Sequence, residues 1–158
     1  METKKIVKLS WEDIERHIGT LAENIRESGF VPDYLIGITT GGLIPLGLLS
    51  KALDINRIVT VSASSYEKDK RGELSIFYLP EIDLRGKKVL LIDEIADSGT
   101  TLKEISRIVV EKYSPAELKT AVIALNKAKC VVRPDFFALE AHGWVVFPWE
   151  KADFPEYF

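Results

Sequence analysis

Residues 89–102 read VLLIDEIADSGTTL, and this stretch decides the fold. Val89, Leu90, Leu91 and Ile92 form an unbroken apolar run, the composition of a strand covered on both faces. Asp93 and Glu94 follow at once, then Ile95 and Ala96, then the small-residue run Asp97-Ser98-Gly99-Thr100-Thr101. Residues 102–113 have the pattern of a helix. A buried strand therefore ends in carboxylates, and a small polar loop opens a helix.

That order has a chemical use. The backbone N–H groups at a helix start are unpaired and carry partial positive charge, so they can hold a phosphate. Gly99 lets the backbone come close, and Ser98, Thr100 and Thr101 add hydroxyl donors. Asp93 and Glu94 would repel a phosphate and suit sugar hydroxyls or a hydrated Mg²⁺ instead. The ligand read from this stretch is a sugar phosphate, its phosphate on the helix and its hydroxyls on the two acids. The plainer reading, in which Asp97 or Ser98 only caps a helix, leaves the adjacent acid pair without a purpose.

Moving towards the N-terminus, residues 74–79 and 57–63 read as the two strands of a hairpin, separated by the polar, charged run Ser64-Ser65-Tyr66-Glu67-Lys68-Asp69-Lys70-Arg71-Gly72-Glu73. Before them, a short apolar strand over 34–38 leads into Thr39-Thr40-Gly41-Gly42 and then into an apolar helix over 43–53, with Pro45 in its first turn. This is a second strand–glycine loop–helix unit able to present amides to an anion. Ser10 and Asp13 predict a capping box for a helix whose buried face is Ile14, Ile18, Leu21 and Ile25 and which Gly29 ends. Residues 4–9 suit a short edge strand, and His17 falls among charged neighbours as a solvated helix residue.

Towards the C-terminus, Ser114-Pro115 breaks the chain, and a buried strand over 118–125 follows. Asn126-Lys127-Ala128-Lys129 then lies just past a strand's carboxyl end, where ligand groups gather in open parallel sheets. A strand over 136–140 precedes the aromatic segment Gly143-Trp144-Val145-Val146-Phe147-Pro148-Trp149-Glu150, in which Trp149 reads as a core or edge aromatic. The aromatic, acidic tail 151–158 is expected to pack.

The element order predicts an α/β fold: a mainly parallel twisted sheet flanked by helices, with a hairpin flap. The chain has 158 residues, room for a single domain over 1–158 with its own core. A net charge of −3 leaves no basic footprint for nucleic acid, so a phosphorylated ligand must be held by local dipoles, local cations or a metal. The one cysteine, Cys130, excludes an internal disulfide and fits a reducing compartment. The start, METKKIVKLSW, lacks the apolar core of a signal peptide, and no run approaches a membrane span. The expected location is the cytoplasm.

VLLIDEIADSGTTL resembles the phosphoribosyl-pyrophosphate (PRPP) signature of type I phosphoribosyltransferases: four apolar residues, two acids, two apolar residues, then D-[ST]-G-x-T. ITTGGLIP resembles that family's pyrophosphate loop, Ser64-Ser65-Tyr66 the start of its mobile catalytic loop, and the run from Trp144 to Glu150 the base-binding segment of small xanthine-guanine-type enzymes. The resemblance covers nearly the whole chain in family order. It implies a small hood built from the chain ends that holds a purine.

By that resemblance, PRPP is bound by Thr39, Thr40, Gly41, Gly42, Asp93, Glu94, Ala96, Asp97, Ser98, Gly99, Thr100 and Thr101. Asp93 and Glu94 hold the ribose hydroxyls and a Mg²⁺ cofactor. Asp97 is the catalytic acid near purine N7. Lys127 contacts the exocyclic oxygen, Trp144 stacks on the base and Val145 adds backbone contacts. Ser65, Tyr66 and Lys68 belong to the flexible loop. Thr39–Thr40 is the candidate for a non-proline cis peptide. One departure stands out: purine-salvage relatives commonly carry Lys or Arg before the glycine pair, and here the residue is Thr40.

The expected function is transfer of 5-phosphoribosyl from PRPP to a 6-oxopurine (hypoxanthine, guanine or xanthine), with no nucleic-acid or membrane partner and assembly as a homodimer or homotetramer. A lysine donor at position 127 favours a 6-oxopurine over adenine, because an amino group offers it nothing to bind. Three other readings fit parts of the sequence. A PRPP-sensing regulator draws support from Thr40. A transferase for adenine or a pyrimidine is the main rival within enzymes. A phosphorelay receiver would not need the D-S-G-T-T loop.

Overall fold

The computed structural model describes residues 5–65 and 74–158. Its elements, in chain order, are β1 (Ile6–Lys8), α1 (Trp11–Glu27), β2 (Tyr34–Thr39), α2 (Leu43–Leu53), β3 (Ile58–Ser65), β4 (Leu74–Tyr78), β5 (Lys88–Ala96), α3 (Thr100–Tyr113), β6 (Glu117–Asn126), β7 (Phe136–Ala141) and β8 (Trp144–Val146). Two short 3₁₀ turns, Pro148–Glu150 and Pro155–Tyr157, follow.

Among the described residues the main sheet runs β4-β3-β2-β5-β6-β7, parallel except for β4, which returns antiparallel to β3 as the expected hairpin. Period-two alternation explains why residues 89–92 of β5 are apolar without a break. Leu90 and Ile92 enter one core with α1 and α2, while Val89 and Leu91 enter a second core with α3. Each such side chain contributes about 1.5–3 kcal/mol on leaving water. Ser10 and Asp13 make the predicted reciprocal capping box, and Ile14, Ile18, Leu21 and Ile25 are buried. His17 is half-buried rather than fully solvated, and that burial, with Arg16 beside it, lowers its pKa.

Most strand ends differ from the sequence reading by one or two residues, and two boundaries at the loop 97–101 matter more. β5 does not stop at Ile92: Asp93, Ile95 and Ala96 go on pairing with Val122, Ala124 and Leu125, so the acids lie on the strand itself. α3 starts at Thr100 rather than 102, because Gly99 at φ +84° turns the chain directly into the helix. The hood is also present. β1 and β8, near the two chain ends, form a small parallel sheet, Ile6 opposite Trp144. The tail packs as expected, with Phe154 and Tyr157 edge-on to Trp144 at 4.7 and 5.6 Å.

The strand order reverses at the middle of the sheet. From β2 the chain crosses through α2 to β3 on one side, and from β5 it crosses through α3 to β6 on the other. β2 and β5 are paired neighbours, so their carboxyl ends flank a switch point, the position where an open α/β sheet leaves a crevice.

Candidate active site

Both glycine loops lie at those carboxyl ends. Loop 97–101 follows β5. Gly99, buried and at φ +84°, precedes α3 with no side chain capping it. Ser98 Oγ accepts from Thr100 N at 3.2 Å and touches Thr100 Oγ1. A Cβ at Gly99 would sit 2.0 Å from the Val132 carbonyl oxygen, so only glycine fits. The same neighbour segment steadies the loop: Val131 N donates to Ser98 O at 3.0 Å. Asp97, Ser98 and Thr100 are exposed, Thr101 is half-buried, and Ala96 is buried at the strand end.

Loop 39–42 follows β2. The Thr39–Thr40 peptide is cis, as the family resemblance implied. Thr39 Oγ1 donates to Ser62 Oγ at 3.0 Å. Gly42 N donates to Ile38 O at 2.8 Å, and a Cβ on Gly42 would lie 2.5 Å from that oxygen and 2.7 Å from Ile92 O. A Cβ on Gly41 would lie 2.6 Å from Glu94 Oε1, so the Glu94 carboxyl lies directly against this loop.

The two acids make different contacts. Asp93 Oδ1 accepts from Glu94 N at 2.8 Å. Glu94 Oε2 accepts from Trp149 Nε1 at 2.7 Å. Burial pushes the Asp93 carboxyl up to about 7, the Glu94 charge adding to the rise and the backbone hydrogen bond opposing it. Burial likewise pushes Glu94 up to about 7, the Glu150 charge adding to it and the Trp149 bond opposing it. Two carboxyls that resist ionisation in the bare protein are suited to a cation or to sugar hydroxyls, which would replace the lost water.

Past β6, Asn126 Nδ2 donates to Asp97 Oδ1 at 2.9 Å, and Lys129 Nζ lies 3.9 Å from Asp97 Oδ2. Lys127 N donates to Ala141 O at 2.9 Å, which anchors this turn beside the hood, and its Nζ lies 3.7 Å from Glu140 Oε2. Arg133 also bonds to Glu140. Val145 is buried in the core while Trp144 is half-buried at the hood. The structure thus brings together loop 39–42 with Glu94, and Asp97 with the turn that carries Lys127. Tyr66 and Lys68, with Lys70 and Arg71, lie outside the described residues, and of Ser65 only its place at the end of β3 is described.

Sequence reasoning missed two partners. Trp149 reads from sequence as a core or edge aromatic, yet its N–H ends on Glu94. The general need of a buried indole for an acceptor could have raised the question. Asn126, 7% exposed, closes the buried apolar half of β6, and a buried amide in that place demands partners.

The class follows from fold and comparison together: residues 9–153 match the model of the phosphoribosyl transferase domain, and the chain belongs to that family. More particularly, it is 31% identical over 148 residues to a xanthine-guanine phosphoribosyltransferase of Desulfotalea psychrophila, covering 93% of this chain and 88% of that one. It is 30% identical to the xanthine-guanine phosphoribosyltransferase of Cereibacter sphaeroides, over 91% of this chain and 86% of that one. The solved structure of a purine phosphoribosyltransferase from Pyrococcus horikoshii superposes with a TM-score of 0.79 at 34% identity, over 91% of this chain and 93% of that one.

Proposed function

We propose that this phosphoribosyltransferase makes purine nucleoside monophosphates, moving 5-phosphoribosyl from PRPP onto hypoxanthine, guanine or xanthine. The observation that carries the reading is the pair of loops at the switch point. One offers hydroxyls and helix amides to a 5′-phosphate, the other offers backbone to a pyrophosphate, and the Glu94 carboxyl at the end of β5 lies against the second loop. The names of the curated relatives point to the same acceptors.

In this reading the bond from C1′ to pyrophosphate breaks, a purine nitrogen bonds to C1′, and the purine gives up a proton. The transition state is cationic at the sugar, so placement and charge stabilisation do most of the work. Asp97, exposed at the loop, takes the purine proton. Lys127 turns from Glu140 to the exocyclic oxygen, and Trp144 with the Val145 backbone forms the base seat. Asp93 and Glu94 hold the ribose hydroxyls.

The donors fit a Mg²⁺ shared with substrate. Among the described residues no three His, Cys, Asp or Glu side chains gather as a metal cage, and Mg²⁺ is commonly held by one or two carboxylates plus substrate phosphates. Bound there by Asp93 and Glu94, it would neutralise charge on the leaving pyrophosphate.

No helix among the described residues is long and apolar enough to cross a membrane, and we place the enzyme in the cytoplasm. Leu43 and Leu48, 43% and 37% exposed on a mostly apolar helix, favour self-association through α2 as a dimer or tetramer.

The test is turnover of PRPP with Mg²⁺ against a panel of bases. Nucleotide formation with 6-oxopurines and none with adenine is the expected result. Tight PRPP binding with no product from any base would make the chain a PRPP-sensing protein instead.

A further inference from the structure

The parallel ladder sets Asp97 beside Asn126. Ala96 pairs with Leu125, so the next residue of each strand lies level with the other at the carboxyl edge. The buried Asn126 carboxamide uses both of its ends. Its Oδ1 accepts from Ala128 N at 3.1 Å and from Lys129 N at 3.3 Å, while its Nδ2 donates to Asp97 Oδ1 at 2.9 Å. Backbone N–H groups only donate, so the oxygen end must face the turn, and the amide cannot be reversed. The nitrogen end therefore faces Asp97 and requires an acceptor there. A carboxylic acid carries its proton on one oxygen. With Oδ1 committed, Oδ2 is the oxygen left to take it. Oδ2 is also the atom 3.9 Å from Lys129 Nζ, on the same turn that Asn126 folds.

Resting on the transferase reading above, we propose that Asn126 is a positioning residue that keeps Asp97 Oδ1 an acceptor, assigns the exchanged proton to Oδ2, and ties that orientation to the turn carrying Lys127 and Lys129. The geometry couples the base seat to the proton acceptor through one buried side chain. When the purine proton leaves its ring nitrogen it bonds to Oδ2, and water later removes it, so no further reactant is needed.

The experiment compares wild type with Asn126→Asp and Asn126→Leu by steady-state turnover over a range of pH. Aspartate keeps an oxygen for Ala128 N and Lys129 N, so the turn survives, but it turns an acceptor towards Asp97. We expect kcat to fall about tenfold to a hundredfold above neutral pH. It should recover towards acid pH, where a proton shared by the two carboxyls restores a donor. Asn126→Leu removes the donor at every pH, so its kcat stays low without recovery, while KM for PRPP stays within about twofold of wild type. A merely structural role would lower melting temperature and raise both KM values with no recovery in acid. Wild-type kcat for Asn126→Asp across the pH range, or wild-type kcat for Asn126→Leu should the aspartate variant not fold, overturns the proposal alone. Absence of turnover by the wild type with every base overturns the transferase reading and the proposal with it.

Discussion

The β2–α2 and β5–α3 units have the same order of parts and lie on neighbouring strands, yet their loops are made differently. Loop 97–101 exposes Ser98 and Thr100 and enters α3 through a left-handed glycine. Loop 39–42 exposes Thr40, uses the Thr39 hydroxyl on Ser62, and enters α2 through Gly42 in a right-handed conformation. The first loop is braced from outside by the Val131–Val132 backbone, which bonds to Ser98 O. The second is backed by an ionisable side chain, Glu94. A loop that must fix a small, rigid phosphate can be rigid itself. A loop that releases pyrophosphate each turnover, the role proposed for 39–42, gains from a support whose charge and position can change.

The largest difference should appear in chemistry. Asp97→Asn should lower kcat by about 10²–10⁴-fold with PRPP affinity nearly kept, because only proton transfer is lost. Thr40→Ala, on the other loop, should lower kcat by less than about tenfold by the same logic. Equal losses in single-turnover measurements would erase the division of labour.

The glycines sharpen the contrast in stability. Gly99→Ala meets backbone oxygen at 2.0 Å and a positive φ. It should cost roughly 1–3 kcal/mol or more in denaturant unfolding. Gly41→Ala meets the movable end of Glu94 and should cost less than about 1 kcal/mol, while weakening the Glu94–Trp149 contact.

The acids give a pH signature. Asp93 and Glu94 ordinarily titrate near 3.8 and 4.5 and are held at about 7 in the fold. A raised carboxyl pKa means that the folded state binds more protons than the unfolded one. Their stabilisation is therefore complete below about 4 and is lost as pH rises through about 7. The protein without ligand should melt at a higher temperature at pH 5 than at pH 8 as far as these groups are concerned. Binding of Mg²⁺ and PRPP should release protons between those limits, measured by calorimetry in buffers of different ionisation enthalpy. Proton uptake on binding would contradict the assignment. The smallest effect is expected at Thr40→Lys, which should tighten pyrophosphate binding by about 0.5–1 kcal/mol, the scale of an exposed ion pair.

Much of this architecture was legible in the chain. The Ser10–Asp13 box, the buried run of β5 and the span of α2 need only local rules, capping and periodicity. The acids are legible, but their place on the strand itself depends on β5 remaining paired with β6 beyond Ile92, which is a tertiary fact. The bonds of Trp149 to Glu94 and of Asn126 to Asp97 join residues 55 and 29 positions apart, and no local pattern announces them. The residues proposed to hold phosphate are neighbours in sequence, whereas the bonds that orient Glu94 and Asp97 join distant ones.

The division of the crevice into two anion seats is tested most directly by titrating ribose 5-phosphate and pyrophosphate separately into wild type and a Ser98→Ala/Thr100→Ala double variant. Loss of these hydroxyl donors should weaken ribose 5-phosphate by about 1.5–3 kcal/mol and leave pyrophosphate almost unchanged. Equal weakening of both ligands, or of neither, would contradict the account.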